Sequence, residues 1–369
     1  MRNQINKIII NGRFLTQGLT GVQRVAHEIV LELDKLLTEG NLPPALQQAE
    51  WIILTPKHTR HNLSLRTMKI EETGHLQGHA WEQVDLFLAA RHSTLLNFCN
   101  SGSILHRRQF VMIHDACVYR HPEFYEKNYR HLHQILGKLL ARNSAIGTVS
   151  KFSQSELAKP LNIPVQSIGM FYNGLDHMGR ITPDTTIIQK HNLQNTPYFL
   201  CIGSLTKNKN VQLAVDAMAQ IDDPTLRLVV VGGGNKRIFG GEEQKDTGRV
   251  LFTGRLTDNE IAALLKNATA FVFPSIYEGF GLPPLEAMAL GCPVLASTAQ
   301  AVVEVCGDAA NYFEATDAAA LAKLMKRTLD NPPERAALSE KFKNHLKPFT
   351  WENSARGIAD FILQKGLMN

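Results

Sequence analysis

The segment 270–296, AFVFPSIYEGFGLPPLEAMALGCPVLA, constrains the fold more than any other part of the 369-residue chain. It opens with an apolar run of strand length, Ala270–Pro274, and continues into a loop that contains two glycines. Pro283 and Pro284 suit the first turn of a helix, where a missing N–H costs nothing, and Gly291 ends that helix before a second apolar run. The pattern predicts a strand, a glycine loop, a helix and another strand, which is the repeating unit of an α/β sheet.

Two carboxylates flank the glycine loop, Glu278 and Glu286, eight positions apart. Backbone N–H groups at a glycine loop and a helix start favour phosphate, whereas a carboxylate repels phosphate and suits a hydroxyl instead. Backbone N–H groups that donate to phosphate would lie between two carboxylates that accept hydrogen bonds from hydroxyls. This arrangement fits a sugar that is joined to a nucleoside by a diphosphate. The alternative is that Glu286 only favours the helix dipole and that Glu278 is a solvated loop residue.

The string EGFGLPPLEAMALGCPV closely resembles the Glu-x7-Glu motif of the retaining GT-B glycosyltransferases. This group (glycosyltransferase family 4, or group 1) includes bacterial mannosyltransferases and sucrose-phosphate-synthase-like enzymes. The resemblance implies an α/β protein of two Rossmann-like domains that face a central cleft, with a C-terminal helix that crosses back to the N-terminal domain. It also implies that the motif binds the donor through Glu278, Gly279, Phe280, Gly281, Leu282 and Glu286.

The composition, 44% hydrophobic and 20% charged, is typical of a soluble globular protein, and the length allows two domains. The net charge of +5 is too weak to indicate nucleic-acid binding, but it is compatible with anionic substrates or an anionic membrane surface. No apolar run approaches the ~18–20 residues of a membrane span or the core of a signal peptide, so we expect a cytoplasmic protein. The five cysteines form no Cys-x-x-Cys pair, so neither zinc nor a disulfide framework is indicated.

The first strand is predicted at Lys7–Asn11, and a glycine-containing loop leads from it to a helix that starts near Gly21. The loop lacks the Gly-x-Gly-x-x-Gly pattern, which argues against an NAD-dependent dehydrogenase. It resembles the first loop of the GT-B family, in which Gly21 would let the backbone approach the donor diphosphate or the acceptor. An ordinary flexible loop is the alternative.

Polar residues in the first half are further candidates. The buried-type strand Gln109–Ile113 runs into His114, at the edge where open α/β sheets bind ligands. The resemblance implies that His114 lies close to the anomeric centre of the sugar, and a core histidine with satisfied hydrogen bonds is the alternative. The string HAWEQVDL, which contains Trp81 and Glu82, resembles a subgroup of the bacterial enzymes, and we predict that Trp81 packs in the core.

The segment 123–142, EFYEKNYRHLHQILGKLLAR, reads as an amphipathic helix. Its inward side chains are predicted to be Phe124, Leu132, Ile135, Leu139 and Leu140. Its other face carries Lys127, Arg130, His131, Lys138 and Arg142. Such a face could rest on anionic lipid headgroups, which would place the protein peripherally on the inner face of the cytoplasmic membrane. A solvated charged face is the alternative.

The segment GSLTKNKN in the second half resembles the family segment whose basic residues hold the diphosphate. Lys209 matches the family lysine, whereas Ser204 and Asn208 occupy the two possible arginine positions. Lys207 could substitute for the arginine, although a lysine point charge is not equivalent to a bidentate arginine, and a solvated lysine is the alternative. Arg255 follows a further predicted strand, and with Gly21, Ser204, Lys207 and Lys209 it completes the predicted donor site.

The polar stretch before Pro197 predicts a domain boundary near residue 190. The N-terminal domain would comprise residues 1–189 together with the C-terminal helix at 349–369, and the resemblance implies that it binds the acceptor. Residues 190–348 would form the domain that binds the nucleotide-sugar donor.

The resemblance implies a hexosyltransferase that moves a sugar from a nucleotide sugar to a hydroxyl of a glycan or lipid-linked acceptor in bacterial surface polysaccharide biosynthesis. We expect GDP-mannose as donor, with dTDP-rhamnose and UDP-hexoses as alternatives. The catalytic residues would be His114, Glu278 and Lys209. The family is thought to retain configuration by attack on the same face, with the leaving phosphate taking the acceptor proton. No Asp-x-Asp motif occurs in the sequence, so we expect neither a metal nor a cofactor. A nucleotide-sugar epimerase of the same fold and a non-catalytic binding protein are the alternatives.

Overall fold

The structure is a computed structural model that describes residues 6–203, 206–232 and 248–368. The chain divides into two compact units. The first comprises residues 1–174 together with 349–369, and the second comprises residues 175–348.

In the described part of the chain, the first unit contains a seven-stranded parallel sheet. Its strands are β1 (Lys7–Asn11), β2 (Glu50–Thr55), β3 (Lys69–Glu72), β4 (Thr94–Asn97), β5 (Gln109–Met112), β6 (Ser144–Thr148) and β7 (Gly169–Met170). Their order across the sheet is β3-β2-β1-β4-β5-β6-β7. The sequence KIIIN of β1 is almost continuously apolar because a central parallel strand is covered on both faces, and Ile8 and Ile10 are fully buried.

Helices cover this sheet. They are α1 (Gly21–Thr38), α2 (Pro44–Gln47), α3 (Gly78–Gln83), α4 (Asp85–Ala90), α5 (Cys117–Arg120), α6 (Lys127–Asn143), α7 (Lys151–Leu161) and, from the C-terminal end, α15 (Trp351–Gln364). Short 3-10 helices lie at Gly12–Thr16, Pro122–Phe124 and Val165–Ser167. Trp81 of α3 is fully buried in the core, as predicted.

The C-terminal helix belongs to the first unit, which confirms the prediction that it crosses back. Helix α15 packs against α1, and the Thr350 hydroxyl caps it by accepting a hydrogen bond from the backbone N–H of Asn353 at 3.1 Å. Gly174 lies directly against the start of this helix, where a β-carbon would overlap the backbone nitrogen of Trp351. The glycine therefore permits the close approach of the two segments.

The second unit begins earlier than predicted, at Leu175 rather than near residue 190. Residues 175–189 join it because α8 (Thr186–Lys190) packs against α10 (Asp258–Asn267). The backbone N–H of Asp184 also donates to the carbonyl of Asn259 at 2.9 Å. The polar composition of this stretch suggested a linker, but its backbone groups are engaged within the second unit.

Six parallel strands form the sheet of the second unit in the described residues. They are β8 (Tyr198–Ile202), β9 (Arg227–Val231), β10 (Val250–Gly254), β11 (Ala270–Phe273), β12 (Val294–Ser297) and β13 (Asn311–Phe313), in the order β10-β9-β8-β11-β12-β13. Besides α8 and α10, the helices are α9 (Val211–Ala219), α11 (Leu282–Ala289), α12 (Gln300–Cys306), α13 (Ala318–Asp330) and α14 (Arg335–Leu346). Short 3-10 helices lie at Asp176–Arg180, Lys207–Lys209 and Gly307–Ala309.

One prediction about α6 is wrong. Leu132 and Ile135 do not face inward but are 48% and 58% exposed. The buried face is formed by Leu136 and Leu140 with the adjacent small residues Gly137 and Ala141. These small residues let α6 approach its neighbours on that side, so the apolar side chains on the far side stay in solvent.

Within residues 6–203, 206–232 and 248–368, no helix is both long enough and apolar enough to cross a membrane.

Candidate active site

The segment 270–296 folds into the strand, glycine loop, helix and strand that its sequence predicts. Strand β11 leads into a loop that ends at Gly281, and α11 begins at Leu282. Gly281 adopts a φ of +111°, a conformation that residues with a β-carbon rarely adopt. Gly291, with φ +71°, follows the helix before β12 begins. The backbone is thus set by a glycine on each side of α11, at positions where other residues would be strained.

Glu278 and Lys209 meet at the carboxyl ends of two neighbouring strands. Strand β8 pairs with β11, so the loops that follow them lie side by side. The Lys209 ammonium donates to Glu278 Oε1 at 2.7 Å and lies 5.7 Å from the centre of the Phe273 ring. The side chains of Lys209 and Glu278 are 23% and 13% exposed, so solvent and small ligands can still reach the pair.

The two loops are also joined through their backbones. The N–H of Ile276 donates to the carbonyl of Asn208 at 2.8 Å. The Asn210 amide donates to the carbonyls of Pro274 and Ala315 at 3.1 and 2.7 Å, and Asn210 itself adopts a left-handed φ of +51°. Asparagine tolerates this conformation better than most residues. These contacts hold the Lys209 turn against the loop that carries Glu278.

Glu286 of α11 has a partner that the sequence did not predict. His177 Nε2 lies 3.2 Å from Glu286 Oε1, and the His177 side chain is only 3% exposed, whereas that of Glu286 is 20% exposed. The histidine lies in the 3-10 helix Asp176–Arg180, just after the string YNGLD. The contact orients one carboxylate oxygen and leaves Glu286 partly accessible.

The other predicted donor-site residues of the second unit are spread along the same strand ends. Lys207 and Arg255 are exposed, and Phe280 is buried. Arg255 follows β10, where the backbone N–H of Gly232 donates to the carbonyl of Gly254 at 2.9 Å. Ser204 lies outside the described residues.

His114 lies just beyond β5, as predicted, and it is buried. Its Nε2 lies 2.7 Å from the carbonyl of Phe98, which can only accept, so the neutral ring carries its proton on Nε2. Its backbone N–H donates to Asn100 Oδ1 at 2.8 Å, and its carbonyl accepts from the Ser153 hydroxyl at 3.1 Å. Burial lowers the pKa of His114 to about 4, so the ring is neutral at physiological pH.

A buried carboxylate at the same end of the first sheet was not predicted as a site residue. Glu82 is fully buried, and four side chains donate to it: Arg13 Nε, Asn11 Nδ2 and Ser101 Oγ contact Oε1 at 2.9, 2.8 and 2.6 Å, and His79 Nδ1 lies 2.9 Å from Oε2. Burial works to raise the pKa of Glu82, but these donors outweigh it and hold the pKa below its usual range. The only signal in the sequence was its place in the string HAWEQVDL.

Gly21 begins α1, as predicted, but nothing crowds it. A β-carbon at this position would have no atom within 4 Å. Within the described residues, therefore, space alone does not require a glycine here. The described residues also contain no cluster of three or more His, Cys, Asp or Glu side chains arranged to hold a metal ion.

Comparisons with known proteins show which proteins this chain is similar to. Residues 183–345 match the family described as glycosyl transferases group 1. O-antigen chain mannosyltransferase B from Escherichia coli is 29% identical over 257 residues, which cover 67% of this chain and 68% of that protein. O-antigen chain mannosyltransferase RfbU from Salmonella typhimurium strain LT2 is 26% identical over 307 residues, 79% of this chain and 82% of that protein.

The fold has a counterpart among solved structures. Sucrose-phosphate synthase from Thermosynechococcus elongatus superposes with a TM-score of 0.71 at 18% identity, over 98% of this chain and 99% of that one. Two parallel α/β units with this similarity define the GT-B fold. These findings support a glycosyltransferase: residues 183–345 match the group 1 family, and the chain is similar to bacterial mannosyltransferases.

Proposed function

We propose that this enzyme transfers a sugar from a nucleotide-sugar donor to a hydroxyl of a glycan or lipid-linked acceptor in bacterial surface polysaccharide biosynthesis. The observation that carries the proposal is the pair between Lys209 and Glu278 of the glycine loop, with Glu286 on the helix α11 that follows this loop. Two relatives named as O-antigen chain mannosyltransferases support mannose as the sugar, and we propose GDP-mannose as its donor. The second unit would bind the donor and the first unit the acceptor.

Lys209 would stabilise the charge that develops on the departing diphosphate. An ammonium has three N–H donors, and the contact with Glu278 uses one of them. The remaining donors are available to phosphate oxygens, and the backbone of Gly279–Leu282 would add further electrostatic stabilisation. Glu278 would accept hydrogen bonds from hydroxyls of the donor sugar while it holds Lys209 in place. Ser204, Lys207 and Arg255 complete the proposed donor site.

Glu286 would accept hydrogen bonds from the ribose hydroxyls. His177 holds Oε1, so that the rest of the carboxylate is left for the ligand. His177 is in this respect a positioning residue. In the first unit, His114 would offer a neutral ring to a bound sugar, because its pKa of about 4 keeps it uncharged.

We propose that transfer retains the anomeric configuration and proceeds without a metal ion. The first experiment is a thermal-shift titration with GDP, UDP, dTDP and ADP and their sugar conjugates, with EDTA present. A ligand that binds the native state raises the melting temperature, so we expect a selective shift with GDP and GDP-mannose that Glu286→Ala abolishes. Activity that disappears with EDTA would contradict metal independence, and a free epimer in place of a new glycosidic bond would contradict glycosyl transfer.

We also propose peripheral contact between α6 and an anionic membrane surface. Leu132 and Ile135 are exposed on α6 beside lysine and arginine side chains, the combination that lies in the plane of a membrane interface. Leu132→Ser with Ile135→Ser should weaken binding to vesicles that contain phosphatidylglycerol. Unchanged vesicle binding would contradict the contact.

A further inference from the structure

Four rings follow one another in space beside the buried Glu82 of the first unit: Tyr125, Tyr129, His133 and His79. We call them the aromatic row. The ring centres of Tyr125 and Tyr129 are 5.5 Å apart, those of Tyr129 and His133 4.1 Å, and those of His133 and His79 5.4 Å. Tyr129 and His133 are four residues apart on α6, a spacing that puts them on one side of the helix, and His79 belongs to α3. Two separate helices therefore bring these rings together.

The aromatic row is fixed at its His79 end. His79 Nδ1 lies 2.9 Å from Glu82 Oε2, and because a carboxylate can only accept, this nitrogen carries a proton. Glu82 is held in turn by Arg13, two residues beyond β1, and by Ser101, four residues beyond β4. Strands β1 and β4 are neighbours in the sheet. The aromatic row thus lies at the carboxyl ends of parallel strands, the edge at which open α/β sheets bind ligands.

The aromatic row keeps ring surface and polar atoms for a ligand. Parallel rings whose centres are 5.5 Å apart overlap only in part, so stacking on Tyr125 leaves Tyr129 49% exposed. In the part of the chain that the structure describes, the Tyr129 hydroxyl, the His133 ring nitrogens and His79 Nε2 have no hydrogen-bond partner. Burial lowers the pKa of His133 to about 4, so its neutral ring offers one N–H donor and one acceptor.

The charges around the aromatic row do not favour an anion. Burial raises the pKa of Tyr129, and the Asp115 carboxylate is close enough to raise it further, while Arg13 opposes them. The Arg13 guanidinium is already paired with Glu82. Even if His79 carried a proton on both nitrogens, two cations would face two carboxylates. A phosphate would therefore gain no net attraction here, whereas a neutral polar ligand would lose none.

Ring surface next to uncharged donors and acceptors matches a sugar. A pyranose has a face of C–H groups that can pack on an aromatic ring, and its hydroxyls both donate and accept hydrogen bonds. Small-molecule sites commonly combine aromatic side chains with a few polar groups in this way. A lipid tail would use only the rings, and a phosphate would need cations that are not paired.

We propose that the aromatic row binds a sugar ring of the acceptor, packed on Tyr129 and hydrogen-bonded to His133 and His79. The acceptor is then a saccharide whose outer ring is uncharged, whether or not its other end is attached to a lipid. Tyr129 and His133 determine this specificity, and the Arg13–Glu82 pair holds His79 in position for it. The inference rests on the proposed glycosyl transfer, and it names the acceptor class and the residues of the first unit that select it.

The test measures saccharide binding to the full chain by saturation-transfer NMR. The probes are neutral disaccharides of mannose, glucose, galactose and rhamnose, compared with mannose 6-phosphate and glycerol phosphate. Tyr129→Ala removes the ring and should weaken binding of the preferred disaccharide about tenfold, whereas Tyr129→Phe keeps the ring and should lose much less. The matched control is Leu88→Ala, which truncates an apolar side chain that is 54% exposed on α4 of the same unit. It should bind as the wild type does, and thermal melting shows whether each variant is folded.

Four results would overturn the proposal. The first is that no disaccharide binds the wild type, and the second is that a folded Tyr129→Ala binds as tightly as Leu88→Ala. The third is tighter binding of the phosphate probes, which would identify an anion as the ligand. The fourth is displacement of the disaccharide by GDP-mannose, which would place it in the donor site. The thermal shift with GDP is measured on the same proteins, so a chain that binds the nucleotide but no saccharide would keep the proposed donor site and lose only the aromatic row as a site.

Discussion

Two ion pairs lie at the carboxyl ends of the two parallel sheets, and they differ in how completely they are enclosed. In the first unit the Arg13–Glu82 pair is almost sealed: the Glu82 side chain is 0% exposed and that of Arg13 is 12% exposed. Glu82 accepts from four side chains, which use most of its acceptor capacity. In the second unit Glu278 is 13% exposed and Lys209 23%, and within the described residues Lys209 is the single partner of the Glu278 carboxylate.

This difference separates a pair that holds a fold from a pair that can serve a ligand. Removing a carboxylate from water is costly, and Glu82 recovers the cost only through its full set of donors. Little of the Glu82 carboxylate is left for a ligand. The Lys209–Glu278 pair keeps N–H groups and carboxylate lone pairs for a substrate, and solvent reaches it. We therefore expect the first pair to respond mainly in stability and the second mainly in activity.

Glu82→Ala should produce the largest effect. It leaves Arg13 buried without its counter-charge, and breaking one side of a buried pair costs about 3–5 kcal/mol. Urea unfolding of the purified variant measures the loss. Glu71→Ala, at an exposed position on the edge strand β3, is the control and should change stability by less than about 0.5 kcal/mol. Equal stability of the two variants would show that the enclosed pair does not support the fold.

Lys209→Met should lower kcat by about 10²–10³-fold, the usual effect of losing one group that stabilises charge in the transition state. Its stability should change little, because a partly exposed pair contributes about 0–1 kcal/mol. Lys207→Met makes the same chemical change two residues away in the same turn, and its effect on kcat should be clearly smaller. If Lys207→Met were the more damaging, the diphosphate anchor would have to be reassigned to Lys207.

Acid should weaken the first unit in particular. Burial lowers the pKa of His114 and of His133 to about 4, below the 6.5 of a free histidine. Between pH 6.5 and 4 the unfolded chain takes up protons that the native state does not, so stability is full above pH 6.5 and falls as the pH drops toward 4. For the fully buried His114 the loss reaches about 3 kcal/mol. Glu82, whose pKa is lowered, contributes stability that is present above the unfolded pKa of about 4.3 and is lost in stronger acid.

The measurement is the free energy of unfolding of the wild type and of His114→Gln between pH 4 and 8. The variant cannot take up a proton, so its stability should depend less steeply on pH. Parallel curves for the two proteins would mean that His114 is not held neutral by the fold.

The parts of the fold and of the candidate site that could be predicted are those that residues close together in the sequence determine. The apolar run, the two glycines and the two prolines of segment 270–296 each dictate their own backbone, so that the strand, loop and helix were all predictable. The approach of Lys209 to Glu278 follows from the rule that ends of adjacent parallel strands meet at one edge. The return of the terminal helix to the first unit was implied by the family resemblance, and the structure bears it out.

The missed features depend on residues that are distant in the chain. His177 and Glu286 are 109 residues apart, and Asn11 and Glu82 are 71 residues apart, so no local pattern joins them. The error in α6 has a different cause. A helical period shows which residues share a face, but it does not show which face the neighbouring elements cover. In α6 the covered face is the one that carries the small residues Gly137 and Ala141, so Leu136 and Leu140 are buried.

The smallest expected effect tests whether the open carboxylates of the second unit are oriented by the protein before a ligand arrives. His177→Leu removes the donor to Glu286 Oε1, and a net hydrogen bond is worth about 0.5–1.5 kcal/mol, so the KM for the donor should rise about 2–12-fold with little change in kcat. His177→Gln keeps an N–H group and should restore most of the affinity.

The control for this experiment is His345→Gln, which changes a half-buried histidine of the same unit whose partner is the backbone carbonyl of Val305. A fall in kcat with unchanged KM in His177→Leu would place the histidine in the chemical step instead of in donor binding. Equal loss in the Gln and Leu variants would show that shape, and not the hydrogen bond to Glu286, is what His177 supplies. Either result would contradict the hypothesis that the hydrogen bond from His177 orients the Glu286 carboxylate before the donor binds.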